Sequence, residues 1–189
     1  MSTVSSNGRD KARGDLGLVQ AFVNTFDALP GSEELTDPGT LGAWLAANGL
    51  MRGGEPVDES HLKHAVAVRE AMRAVIGGNN GRPVYPVDVA TLNEAAGASR
   101  LRVRFGRDGK PRLEPEVSGA VGALGRLVAA FYSAVQDEGW GRLKLCSAHN
   151  CRRVFYDRSR NHSSRWCSMA ACGNRAKARR FRQKRAPSA

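Results

Sequence analysis

The sequence predicts an α+β protein that is mainly helical: a helical N-terminal domain with one small β-hairpin, followed by a short C-terminal unit bracketed by cysteines. Three observations carry this. Before residue 140, five stretches place apolar residues three and four apart, the recurrence that lays one apolar stripe along a helix. One stretch, 100–114, alternates with period two around a turn signal. The chain's four cysteines fall in two pairs of identical spacing, Cys146-x4-Cys151 and Cys167-x4-Cys172, with fifteen residues between them.

Residues 1–14 lack apolar periodicity and read as a mobile arm, with structure expected from about Leu16. Leu18, Val19, Phe22, Val23 and Phe26 then share a helical stripe, and Pro30-Gly31 is the expected stop. Asp37-Pro38-Gly39-Thr40 offers a turn or a helix start, after which Leu41, Trp44, Leu45 and Leu50 keep the helical period of a second, shorter helix and Gly49 weakens its end. Asp58-Glu59-Ser60 can cap a third helix carrying Leu62, Val66, Arg69, Met72 and Ile76, and Gly77-Gly78-Asn79-Asn80-Gly81 ends it. Pro86-Val87-Asp88 opens a fourth, through Leu92 and Ala96 to Gly97. Leu101, Val103 and Phe105 alternate with arginines, and Arg107-Asp108-Gly109 turns the chain into Arg112-Leu113-Glu114, which predicts a hairpin. The longest helix falls in 117–138, with Val121, Leu124, Leu127, Val128, Phe131, Tyr132 and Val135 as its apolar set and Gly139 as its stop. The expected division is a helical domain over 15–140, a cysteine-bracketed unit over 141–185 and a tail over 186–189.

At 189 residues and 41% hydrophobic, the chain can bury one ordinary core and carry a satellite. No run reaches the roughly 18 to 20 consecutive apolar residues of a membrane span, and the N-terminus does not read as a signal sequence, so no membrane partner and a cytoplasmic address are expected. Charge is uneven. Residues 141–189 hold fourteen Lys and Arg against Asp157 alone, a net +13, whereas residues 1–140 hold fifteen basic and seventeen acidic residues, a net −2. A nearly neutral body with a compact basic appendage suggests an anionic partner, nucleic acid first. For 186–189 a solubilising, disordered tail is the competing reading.

In a reducing compartment, two short-spaced cysteine pairs read as metal ligands sooner than as disulfides. Each pair lets one backbone turn supply two thiolates, and two turns close a tetrahedral site, so one structural Zn2+ held by Cys146, Cys151, Cys167 and Cys172 is expected. Arg153–Asp157 reads as a short strand and 170–184 as a helix, the ingredients of a treble-clef or ribbon-like finger with Cys172 near a helix N-terminus. His149 and His162 are expected to stay outside the coordination sphere, which four thiolates already fill. Redox chemistry is a poor fit because neither pair is Cys-x-x-Cys; four unrelated buried cysteines are the remaining alternative.

The strings Cys146-x4-Cys151, Arg153-Val154-Phe155-Tyr156-Asp157-Arg158-Ser159-Arg160-Asn161, Trp166-Cys167-Ser168-Met169 and Cys172-Gly173-Asn174-Arg175-Ala176-Lys177 closely resemble the CGNR zinc-finger family over residues 143–185. Members carry an N-terminal ABATE domain, and Leu18-Val19-x-x-Phe22-Val23-Asn24-Thr25 followed by Trp44-Leu45 looks like its opening. The resemblance implies a bacterial, stress-linked transcription regulator whose finger binds DNA, with RNA binding also proposed for similar proteins.

On a helix from about Ala170, Arg175, Arg179 and Arg182 share a face, and Lys177, Arg180 and Lys184 form a neighbouring row, so two cationic rows can follow a phosphate backbone. Arg152, Arg153, Arg158, Arg160 and Arg165 complete the candidate nucleic-acid set. Asn174 and Arg175 suit base edges, unless Gly173 and Asn174 serve a tight turn beside the metal. Exposed Phe155, Tyr156 and Trp166 would stack single-stranded bases, but such residues more often form a finger's own small core. DNA is therefore favoured over RNA, with docking of the basic helix on an acidic protein as a third reading. A single small finger gains specificity by dimerising or by borrowing contacts from its host domain, which keeps a homodimer in view. No catalytic set is visible: there is no phosphate-binding Gly-rich motif, and His61 and His64 beside Glu59 read as solvated helix residues rather than a second metal site. A helical domain of this size has room for a small-molecule effector pocket, whose lining the sequence does not identify.

Overall fold

The computed structural model describes residues 11–29 and 31–185, with Lys184 and Arg185 as backbone only; the expected mobile arm falls largely, and the tail wholly, outside these residues. The elements in order are α1 (Gly14–Val23), β1 (Phe26–Asp27), β2 (Ser32–Glu33), α2 (Pro38–Ala47), α3 (Glu59–Gly78), α4 (Pro86–Ala98), β3 (Leu101–Phe105), β4 (Pro111–Pro115), α5 (Gly119–Gln136), β5 (Leu143–Leu145), β6 (Val154–Tyr156) and α6 (Asn174–Arg185). A single 3-10 turn, Trp140–Arg142, precedes β5, and a π-type turn, Met169–Gly173, leads into α6. The fold is mainly helical, with three two-stranded antiparallel sheets among the described residues. No helix among these residues is long and apolar enough to cross a membrane.

Local chemistry explains the helix starts. Asp37 and Asp58 each accept the backbone N–H three residues on, at 2.9 and 3.0 Å, and Thr40 and His61 reach back to the cap N–H, closing two capping boxes. His61 thus serves α3 as a cap. The hairpin forms as expected, with Val103 opposite Leu113 and Arg104 opposite Arg112. In α5 the core face is Leu124, Leu127, Val128 and Phe131, while Tyr132 and Val135, which shared its apolar recurrence, point to solvent.

Two elements differ from expectation. Helix α1 stops at Val23, well before Pro30-Gly31, and Phe26 lies in β1, opposite Glu33. The helix ends because its last groups find other partners: the Val23 and Phe26 carbonyls accept from the Arg73 guanidinium, and Thr25 bonds back to the Phe22 carbonyl at 2.8 Å. Spacing from Phe22 suited Phe26 to a helix, but Arg69 and Arg73 of α3 both lie against its ring, 5.6 and 5.9 Å from the centroid. Arg69 also grips Glu33 with two hydrogen bonds of 2.7 and 2.8 Å, so β1 and β2 are clamped to α3. The second difference is β5, a strand lying directly after the expected domain boundary. Three residues are too few to show a period, and their partner strand lies beyond the first cysteine pair.

The main core is built by α1, α2, α3 and α5, but it does not end at residue 140. Leu143, Leu145 and Val154 of the β5–β6 hairpin belong to the same buried cluster as Phe22, Leu45, Met72 and Leu127. Both edges of the hairpin are closed by asparagines acting as strand surrogates. Asn80 donates to the Leu145 carbonyl at 2.8 Å and accepts from the Leu145 N–H at 3.1 Å; Asn24 does the same for Val154 at 2.7 and 2.9 Å. Leu145 and Val154 are each other's register partners, so one cross-strand pair has an asparagine on either flank. Asn79 adds bonds of 2.9 Å to the carbonyls of Trp140 and Leu143.

A hairpin buried this way cannot fail alone. Leu143→Ala should cost about 2–5 kcal/mol, the range for a fully buried leucine. Helix ellipticity and metal release should then shift together in one urea transition; loss of metal at unchanged helix stability would show that the two parts fold independently.

Candidate metal centre and basic face

Cys146 follows β5 directly and Cys151 lies three residues before β6, so the first pair sits in the hairpin turn. Asn150 and Arg152 adopt left-handed backbone, at φ 64° and 52°, which tightens that turn around Cys151. Cys167 precedes the π-type turn and Cys172 lies within it, two residues before α6; the Ser168 hydroxyl at the head of the turn accepts from the Ala171 N–H at 3.3 Å. A bond of 2.8 Å from the Ser147 N–H to the Arg165 carbonyl joins the two halves.

The four sulfurs lie within 4.8 Å of one another, and Cys151, Cys167 and Cys172 are separated by 3.5 to 3.7 Å. Tetrahedral zinc with bonds of about 2.3 Å needs sulfur–sulfur separations of roughly 3.8 Å, so the cluster suits one zinc ion with little movement. Electrostatics agree. Thiol donors from Cys151 and Cys167 hold Cys146 down to about 2, and Cys146 in turn pushes Cys151 up to about 12 and raises Cys167. Four sulfurs at this spacing cannot all be anionic unaided, and a dication supplies the charge that lets every one ligate as thiolate. His149 and His162 are exposed and lie outside the cluster, and His61 and His64 join no other metal-ligand group among the described residues.

The motif after Cys172 is directed at this centre. Gly173 is buried, and the place of a Cβ is taken by the Met169 thioether, whose sulfur would lie 2.8 Å away. Asn174 is exposed and bonds the Ala170 carbonyl one turn back at 3.2 Å. Arg175 donates to the Cys172 sulfur at 3.2 Å, and that contact raises its pKa. Arg175, a candidate base reader, thus touches a metal ligand and orients it.

The remaining basic candidates divide by what they meet. Arg152 pairs with Glu70 at 2.6 Å and Arg153 with Asp27 at 2.8 Å, so both tie the finger to the helical part. Arg158 donates to the Lys11 carbonyl at 2.7 Å and lies over the Tyr156 ring, and Arg165 lies over Trp166. Arg160, Lys177, Arg179, Arg180 and Arg182 are exposed. Lys184 lies on α6, with its side chain outside the described residues. Among the described residues, none of Arg158, Arg160, Arg165, Arg175, Lys177, Arg179, Arg180 and Arg182 is paired with a carboxylate. The finger's one acid is fully used: Asp157 accepts from Lys144 and from the Ser159 and Ser164 N–H groups, each at 2.9 Å. Burial would raise its carboxyl, but these donors outweigh that and hold it well below the usual range. The Lys144 ammonium also bonds the His162 carbonyl, so this buried pair shapes the loop that presents Arg158 and Arg160. Phe155 is buried and Trp166 packs against the cysteines, whereas Phe181 is 59% exposed on α6.

The Arg175–Cys172 contact makes a measurable claim. Arg175→Gln should weaken zinc binding by about 10- to 100-fold in a chelator competition with the full-length protein, with helix content unchanged. Unaltered affinity would place Arg175 outside the metal's environment.

Two family comparisons match the chain. Residues 142–185 match the CGNR zinc finger, and residues 16–138 match ABATE, described as "putative stress-induced transcription regulator". A search of curated proteins finds no significant match. With four sulfurs grouped for one metal ion and both units recognised in this order, the chain belongs to the ABATE family and carries a C-terminal CGNR zinc finger.

Proposed function

We propose that this protein is a zinc-dependent DNA-binding transcription regulator, acting by binding and not by catalysis, with α6 as the element laid on the duplex. One observation carries the reading: α6 bears Lys177, Arg179, Arg180 and Arg182 exposed, with no carboxylate partner among the described residues, and it springs from a metal ligand at its base. Cations left unneutralised on a helix fixed at one end suit a polyanion, because each phosphate contact releases condensed counterions. The metal's part is to set the direction of α6; phosphate contacts fall to these side chains and to Arg160 and Arg165 on the adjoining loop. Arg152 and Arg153 are left out of the contact surface, since their ion pairs with Glu70 and Asp27 hold them at the joint with the helical part. The family description, a stress-induced transcription regulator, supports regulation as the purpose of the binding. Burial of Phe155 and packing of Trp166 against the cysteines favour duplex DNA over single-stranded RNA.

With about six phosphates contacted, log K for the zinc-loaded protein on duplex DNA should fall with log salt at a slope of roughly −5. Combining Lys177→Gln, Arg179→Gln and Arg182→Gln should bring the slope to about −2 to −3 in fluorescence anisotropy. Salt-insensitive binding, or stronger competition by single-stranded RNA than by duplex DNA, would overturn the proposal.

A further inference from the structure

A cleft of about 550 Å³ opens where the helical part meets the finger, between α3, the segment leading into α4 and the β5–β6 hairpin. Its volume falls in the range of small-ligand sites. Ala74 and Leu145 supply apolar surface, and Tyr85, 59% exposed, offers a ring at the side. Arg82 and Arg152 line the same cleft and are both exposed. Arg82 spends one Nη on the Cys146 carbonyl at 3.1 Å, and Arg152 spends one on Glu70 at 2.6 Å. Their other guanidinium N–H groups have no partner among the described residues. Glu70 is already shared by Arg69, Arg73 and Arg152, so it does little to neutralise the cleft. Three guanidinium groups, those of Arg73, Arg82 and Arg152, stand against the carboxylates of Glu70 and Asp88.

We propose that this cleft is a ligand site for a small aromatic carboxylate, with the carboxylate on Arg82 and Arg152 and the ring against Tyr85, Ala74 and Leu145. The chemistry is complementary on both counts. A planar guanidinium with unused donors matches a carboxylate, and a tyrosine beside aliphatic surface matches a flat apolar body. The position gives such a ligand reach into the metal turn, because Arg82 holds the carbonyl of Cys146 and Arg152 directly follows Cys151. Arg73, buried beneath, bonds the Arg152 carbonyl and those of Val23 and Phe26, so the same cleft touches the clamp between the two units. This inference stands apart from the DNA-binding proposal and does not need it.

The test is titration of zinc-loaded, full-length, nitrogen-15-labelled protein with benzoate, benzamide, benzylamine and inorganic phosphate. Benzoate should give saturable shifts at the amides of Ala74, Tyr85, Leu145 and Cys146, and should bind at least about tenfold tighter than benzamide, the worth of one charge-assisted hydrogen bond. Arg82→Gln, an exposed substitution, should weaken benzoate by about tenfold or more, while Arg160→Gln, an exposed arginine elsewhere, should leave it unchanged. Benzylamine should not bind at these residues. No saturable shift with benzoate at millimolar concentration would overturn the site. Equal binding of benzamide, or of phosphate at the same residues, would overturn the aromatic carboxylate as its ligand class.

Discussion

The pairing of Leu145 with Val154, flanked by Asn80 on one edge and Asn24 on the other, is the joint on which the rest of this protein depends. In an antiparallel ladder, alternate residue pairs direct their N–H and C=O groups outward, and a two-stranded sheet leaves such groups unpaired on both edges. Here the Cys146 N–H and the Arg153 carbonyl bond across the ladder, so the neighbouring Leu145 and Val154 turn their polar groups outward to the two asparagines. Their side chains meanwhile enter the helical core. A turn carrying two metal ligands is thereby built on a strand pair whose apolar and polar needs are both met by the other domain.

This arrangement gives the metal a role different from that in a free-standing finger. The first cysteine pair is held by the helical core through β5 and β6, so a bound ion's work would fall on the second pair, which it would draw to the hairpin. Cys172 and the Arg175 contact then fix the base of α6, and the helix extends with Lys177, Arg179, Arg180 and Arg182 exposed. The ion pairs follow the same division: Arg152 and Arg153, next to the hairpin, pair with Glu70 and Asp27, whereas Lys177, Arg179, Arg180 and Arg182 of α6 have no carboxylate partner among the described residues.

The parts legible in the sequence are those whose physics is local. Cys-x4-Cys pairs, Asp37-Pro38 as a helix start, Asp58 as a cap, and Asp108-Gly109 as a turn each act within a few residues, and each appears where the spacing placed it. What stayed hidden depends on distant partners. Asn80 read as part of the stop after α3, which does end at Gly78, but its bonds to Leu145 need a strand 65 residues later; Asn24 needs one 130 residues later. Arg153 resembled a phosphate contact because its counter-charge, Asp27, lies 126 residues away. Phe26 continued a helical stripe, and the arginines of α3 that lie against its ring in β1 carry no signal in the local sequence. Arg69, placed among apolar residues by its spacing, was the one visible hint that a buried charge on α3 had a partner elsewhere.

Native-state hydrogen exchange tests the shared core most directly. If β5 and β6 belong to the helical core, the Leu145 and Val154 amides should exchange only through global unfolding, with the same opening free energy and urea dependence as the amides of Met72 and Leu127. Exchange of Leu145 and Val154 through a separate opening, several kcal/mol below that of α3 and α5, would contradict the account and return the finger to an independent unit.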